Sequence, residues 1–331
     1  MTSDLSVAAV SDDKLSTSAW PRRLRSLGVL PPTVLLVVVA ISLVPNFATR
    51  GNISELLFTM AGVGFVAIGM TFVVASGNFV DLSVVSQIAV AAVCVISLQG
   101  HGLIVGVVAG LAACALVGLV NAFAVAVLKG NAVIVTLATG TVCAGLLTLV
   151  TSGTLYQGRS AAFRTFGSSQ LGVIPMGFLL LVLGLVVAHA VLTFTVFGRQ
   201  VKLVGANPSF AAIAGISVPR TVIGCFVAAS VGSCVAGIIL AAYSNTASAS
   251  LGQGYEFDAL AAVVIGGNSL FGGRVSMART ALGLLLVSVI ANILPLIGMP
   301  YEAQTICKGA IVIVAVVIDT VVNGSLSKEK R

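Results

Sequence analysis

FGRQVKLVGANPSFAAIAGISVPR, residues 197–220, is a polar island of 24 residues between two long apolar runs, 176–196 and 221–243. Asn207 suits a helix N-cap, Pro208 the first helical turn and Gly215 the position just past a helix end. The spacing therefore predicts a short, self-capped helix over 208–214, standing outside the apolar layer on which the flanking runs depend. A rigid knob so placed is a handle by which another protein can move both runs, which points to a transporter driven from outside its own chain.

The rest of the chain sets that island in a membrane. Of 331 residues, 58% are hydrophobic and 8% charged, and the mean hydropathy is +1.14. Such values lie far from those of soluble domains. Because about 20 apolar residues cross the hydrocarbon layer, the chain supplies many spans joined by short connections. Ten apolar segments are read: 28–45, 55–76, 82–98, 103–127, 132–152, 176–196, 221–243, 256–271, 279–297 and 304–322. The fold class is all-α and polytopic, with a transmembrane body over 28–322, an N-terminal segment 1–27 and a tail 323–331. The segments 82–98 and 256–271 are short and carry or abut ionisable residues, so broken or re-entrant helices are expected there.

Charge sets the orientation. With a cytoplasmic N-terminus, 13 of the 17 Lys and Arg residues fall inside, and Arg50, Arg159, Arg164 and Lys308 fall outside. That asymmetry is the positive-inside pattern, and both termini are expected on the cytoplasmic side. The net charge of +7 is thereby accounted for by orientation, without a nucleic-acid partner. Arg22, Arg23 and Arg25 read as an anchor for an uncleaved first span. The six cysteines are scattered through apolar runs and the two histidines, His101 and His189, are isolated, so no metal site is expected. The longest outer segment, 153–175, carries Tyr156, Arg159, Phe163, Arg164 and Phe166, and reads either as a solvated loop or as a docking surface for an acidic extracytoplasmic partner.

Two clusters carry polar chemistry. Asp81, with Asn78 and Ser83, lies between apolar segments, where a carboxylate at membrane depth costs about 2.5–3.5 kcal/mol. Two readings stand: Asp81 caps the helix expected from Leu82, or it lines a polar path for a hydroxylated solute. In the second cluster Glu256 and Asp258 precede a short apolar helix, and paired glycines flank Asn268 and Ser269, a pattern for gating and close packing. A faint echo between Phe79-Val80-Asp81-Leu82 and Phe257-Asp258-Ala259-Leu260 fits an inverted repeat.

VDLS at 80–83, FGRQVKLVGANPSFAAIAGI at 197–216 and GYEFDALAAVVIGGNSLFGG at 254–273 resemble the permease subunits of ATP-binding-cassette importers of the ribose and autoinducer-2 type. The resemblance runs from about Gly69 to Asp319. It implies a multi-pass protein of the bacterial inner membrane that translocates a sugar or similar polyhydroxylated solute. The implied partners are a cytoplasmic ATPase, a periplasmic or lipid-anchored solute-binding protein and a second permease subunit. Gly205, Asn207, Pro208, Ala211, Ala212 and Gly215 then form the segment that engages the ATPase. Ser209 stands where an acidic residue is frequent in that family, and Phe79 where a glycine is. The chain has no GxxxxGK[ST] run, so it is expected to bind no nucleotide, and ATP is used by the partner subunit. Two other readings compete: an ion-coupled transporter using Asp81 or Asp258, and, within the same class, a branched-chain amino-acid permease.

Overall fold

The computed structural model describes residues 29–78 and 80–328, with the side chains of Ala315 and residues 318–328 left aside. The expected N-terminal segment 1–27, with its three arginines, and Lys330 and Arg331 of the tail lie outside the described residues. All ten apolar segments become helical. In chain order the helices are α1 (Leu30–Leu43), α2 (Arg50–Ala75), α3 (Val84–Ser97), α4 (Leu103–Ala126), α5 (Ala132–Thr151), α6 (Ala161–Ser168), α7 (Met176–Phe194), α8 (Val196–Ala206), α9 (Pro208–Ile213), α10 (Val218–Ser244), α11 (Tyr255–Ile265), α12 (Met277–Leu296) and α13 (Tyr301–Lys328). Among the described residues, seven helical stretches are long and apolar enough to cross a membrane: α2, α3 with its one-turn extension to His101, α4, α5, α7, α10 and α12. α1 is a shorter apolar helix of 14 residues, and α11, at 11 residues, is too short to cross.

Local chemistry sets several of the ends. The Thr49 hydroxyl accepts from the Asn52 amide to start α2, and Asn131 Oδ1 accepts from the Val133 and Ile134 amides to start α5. α10 opens with Pro219 in its first turn and closes on Asn245 in the left-handed region. The segment 256–271 is helical only to Ile265, because Gly266-Gly267 ends α11 and the chain runs irregularly to Ser276. The outer segment 153–175 is more ordered than a solvated loop. β1 (Tyr156–Gln157) pairs antiparallel with β4 (Thr246–Ala247), β2 (Gln170–Leu171) pairs with β3 (Ile174–Pro175), and α6 packs on α10 with Phe163 buried beneath it.

α2 and α10 form the centre. Gly69 of α2 lies against Ala229 of α10, and Gly232 of α10 lies against the Phe65 carbonyl of α2, so the two helices run antiparallel in backbone contact. A Cβ at either glycine would collide with main-chain atoms that have no way to yield. Around this pair the two halves repeat with exchanged roles. α3 and α4 pack on α10 while α11 and α12 pack on α2, and α5 closes on α3 and α4 as α13 closes on α11 and α12. That is an inverted repeat of four helices, 50–151 and 218–328, with α6 to α9 between the halves.

The crossing is testable by substituting alanine. Gly232→Ala is expected to destabilise the protein by about 1–3 kcal/mol through overpacking, whereas Gly145→Ala, whose Cβ meets open space, is expected to be neutral or mildly stabilising. Thermal unfolding in detergent measures both, and an unchanged midpoint for Gly232→Ala contradicts the contact.

Candidate functional site

The 197–220 island folds as two helices. Thr195 breaks from α7 in an extended conformation, and its hydroxyl accepts from the Gly198 amide to start α8. α9 begins where Asn207 Oδ1 accepts from the Phe210 amide at 2.9 Å, and Pro208 occupies its first turn. It ends as the Gly215 amide donates to Ala212 O at 3.0 Å and the Ile216 amide to Ala211 O at 2.9 Å, with Gly215 at φ +79°. Ala211 is buried, anchoring the helix to a cluster that includes Val73, Val204 and Val222. The opposite face is bare and apolar: Phe210 is 59% and Ile213 86% exposed. Ala212 is exposed as well, and Lys129 from the α4–α5 turn borders the groove beside Ala212 and Gly215.

Gly205 serves a different purpose from the other island residues. It is buried, and a Cβ there would strike the Ala75 carbonyl at the end of α2 and the Gly273 amide. The Gly273 amide itself donates to Ala75 O at 3.1 Å. Three backbones, the end of α2, the end of α8 and the α11–α12 connection, therefore meet with no side chain between them. The end of α8 therefore touches an element of each repeat, α2 in the first and the α11–α12 connection in the second.

Asp81 is fully buried and sits two residues upstream of the turn it organises. α3 starts at Val84 instead of Leu82, and Asp81 makes no bond to its first-turn amides; Oδ1 instead accepts from the Ser83 amide at 2.9 Å and the Ser83 hydroxyl at 2.6 Å. The expected cap is thus corrected to a turn brace, because the chain needs two more residues to re-enter the helical direction. Ser83 Oγ in turn accepts from Gln87 Nε2 and Asn121 Nδ2, both at 2.8 Å, and the Leu82 amide donates to Thr136 Oγ1 at 3.0 Å. Thr139 donates to Asn121 Oδ1, so one buried network ties α3, α4 and α5 together. Asp81 Oδ2 and Gln87 Oε1 have no hydrogen-bond partner in it. Asn78 lies just outside, donating to Ser76 Oγ at 2.9 Å.

The second cluster is divided. Asp258, in the first turn of α11, accepts from Lys308 Nζ of α13 at 2.8 Å, and Glu256 sits one turn-edge away with a buried, unpartnered Oε2. The helix N-terminus adds a favourable field for both acids. Asn268 is buried and spent on structure: Nδ2 donates to Val263 O and Thr280 Oγ1, each at 3.0 Å, and Oδ1 accepts from the Ser276 amide at 2.7 Å. Thr280 shares a hydroxyl bond of 2.8 Å with Thr71, which fastens this connection to α2. Ser269 accepts from the Phe271 amide at 3.3 Å. The acids and amides of the two clusters do not converge on one cavity within this chain.

Sequence reasoning missed Gln87, Asn121, Thr136 and Thr139 as members of the Asp81 network. The signal was present: Gln87 stands four residues after Ser83, and Asn121 interrupts an otherwise apolar helix. Phe210 and Ile213 carry no sequence signal, because aliphatic and aromatic residues are unremarkable in so apolar a chain.

The family described as "Branched-chain amino acid transport system / permease component" matches residues 52–316. The chain is similar to the L-arabinose transport system permease protein AraH of Escherichia coli (strain K12), 37% identical over 295 residues that cover 88% of this chain and 89% of that protein. It is also similar to the ribose import permease protein RbsC of Bacillus subtilis (strain 168), 34% identical over 89% of this chain and 93% of that one. A third relative is the galactofuranose transporter permease protein YtfT of Escherichia coli (strain K12), 31% identical over 94% and 95%. No solved structure matches the chain.

Two substitutions probe the clusters. Ser83→Ala strands the Gln87 and Asn121 amides and is expected to cost about 2 kcal/mol or more, read by thermal unfolding. Lys308→Met leaves Asp258 charged and unpaired, with an expected loss of about 3 kcal/mol. The double variant Lys308→Met/Asp258→Asn should recover most of it, and an unaltered single variant would refute the ion pair.

Proposed function

We propose, on the premise that this chain belongs to the family of branched-chain amino acid transport system permease components, that it is the membrane-spanning permease of an ATP-driven sugar importer. The arabinose, ribose and galactofuranose permeases among its relatives favour a sugar or similar polyhydroxylated solute over an amino acid. The observation that carries the coupling reading is the bare Phe210–Ile213 face of α9. A six-residue helix is too short to stand alone, so this one is held by its Asn207 cap and by Ala211, and it offers an exposed apolar knob.

In this reading the α8–α9 face is cytoplasmic and seats the ATPase subunit, with Asn207, Pro208, Ala212 and Gly215 shaping the knob. Gly205 and Ala211 connect it to the spans. ATP-driven closure of the ATPase pair pushes on α9, and the backbone joint at Gly205 delivers the displacement to α2 and to the α11–α12 connection. Asn78, Asp81, Ser83, Asn268 and Ser269 act as gating and positioning residues inside each repeat, and Glu256 and Asp258 do so at the start of α11. Their burial and mutual bonds suit them to holding moving elements together more than to touching solute.

On the opposite face, Arg159 and Arg164 stand exposed on and beside α6. That face suits an acidic surface of an extracytoplasmic solute-binding protein. A second permease subunit completes the path in the bacterial inner membrane, with both termini cytoplasmic. The ion-coupled alternative is not favoured, since Asp258 is already matched by Lys308 and the relatives named are permease components.

Reconstitution with a cognate ATPase and binding protein is expected to give sugar uptake that requires both, plus ATP. Ala212→Asp and Ile213→Asp should lower binding-protein-stimulated ATP turnover at least tenfold in correctly inserted protein. Uptake by this chain alone on an ion gradient, or full stimulation of both variants, would overturn the assignment.

A further inference from the structure

At the end of α2 remote from Gly205, roughly 38 Å away by the rise of a straight helix, the two central helices open into a cleft of about 590 Å³. Its walls come from Arg50, Ser54 and Glu55 of α2, Tyr243 of α10 and the turn at Gln170 and Gly172. Tyr243 Oη donates to Glu55 Oε2 at 2.8 Å. The Tyr243 ring is stacked on the buried Phe58 ring, with centroids 3.7 Å apart and planes inclined by 22°. One face of the phenol is therefore braced from within, while the residue stays 46% exposed and lines the cleft. Among the described residues Arg50 makes no ion pair, so its guanidinium charge is not neutralised by a carboxylate, and Gln170 adds an amide to the lining.

From this arrangement we infer that the cleft is a low-affinity acceptor site for a neutral monosaccharide, entered before the solute passes between the subunits. The inference rests on the sugar-importer reading given above and adds a place and residues to it. A sugar ring presents a patch of C–H groups on one face and hydroxyls, each both donor and acceptor, around its edge. The braced Tyr243 face suits the first. Glu55 as acceptor, Arg50 as donor and Gln170 as both suit the second. One cationic and one anionic side chain sum to no net charge, which disfavours an anionic or cationic solute. The volume lies within the range of small-molecule sites and exceeds that of a single monosaccharide. Tyr243 and Glu55 stand on the two helices whose crossing centres the fold, so occupancy of the cleft bears on both repeats.

The test is saturation-transfer NMR on the full-length chain in lipid nanodiscs, with L-arabinose, D-ribose, D-galactose and L-leucine as separate probes and no binding protein present. At least one sugar is expected to give a saturable signal. Glu55→Gln and Tyr243→Leu should each weaken it about tenfold or more, a loss in keeping with a charge-assisted bond or a stacked face. Tyr243→Phe, which keeps the ring and loses the hydroxyl, should fall between. Thermal unfolding of each variant separates a lost site from a lost fold, and Glu55→Gln preserves shape at an exposed position. No sugar signal from the wild type, equal signals from wild type and variants, or a signal from leucine alone would overturn the site. The uptake measurement scores the importer separately: ATPase-dependent sugar uptake without a nanodisc signal sinks the cleft and spares the importer. A variant-sensitive sugar signal without such uptake does the reverse.

Discussion

Backbone contact between α2 and α10 is the constraint on which the remaining packing depends. In a bilayer apolar side chains gain little by leaving lipid for protein, so helices associate where small residues let main chains approach. Gly69 and Gly232 provide that approach from opposite partners. Once the pair is set antiparallel, each helix offers its outer flank to the short helix and the long helix of the other half. The exchange makes the two repeats interdependent, because each packs on a helix that belongs to its counterpart.

Polar groups then supply what apolar packing cannot, namely a single register. The first repeat uses a neutral-rich network that branches from Ser83 to Asp81, Gln87 and Asn121, while the second uses one ion pair, Asp258–Lys308. Thr71, Thr280 and Asn268 bind α2 to the connection between α11 and α12. Each set joins separate elements by directional bonds between side chains. The Gly205 joint differs in kind. It is made by backbone alone, with no side chain between the segments that meet there.

The two ends of α2 thereby receive unlike chemistry. At one end stand a bare apolar knob and the exposed basic residues Lys129, Arg199, Arg220, Arg274 and Arg279. At the other end the braced Tyr243 ring stands beside one cationic and one anionic side chain, Arg50 and Glu55. One buried helix, α2, joins the two ends.

Several features were determined by the sequence itself. The apolar runs had to become helices, since no other open structure satisfies its backbone in lipid. The capped helix at 208–213 was legible because Asn207, Pro208 and Gly215 are local signals that need no tertiary partner. The short α11 and the irregular stretch after it were legible in the Gly266-Gly267 pair. Three things were decided only by the tertiary structure: that Gly69 and Gly232 each face the main chain of the opposite central helix, that Asp81 braces a turn instead of capping α3, and that Glu55 meets Tyr243 across 188 residues. The physical reason is that hydropathy reports how much of a side chain avoids water but not which neighbour covers it. In a chain apolar on every face, lipid-facing and protein-facing residues read alike.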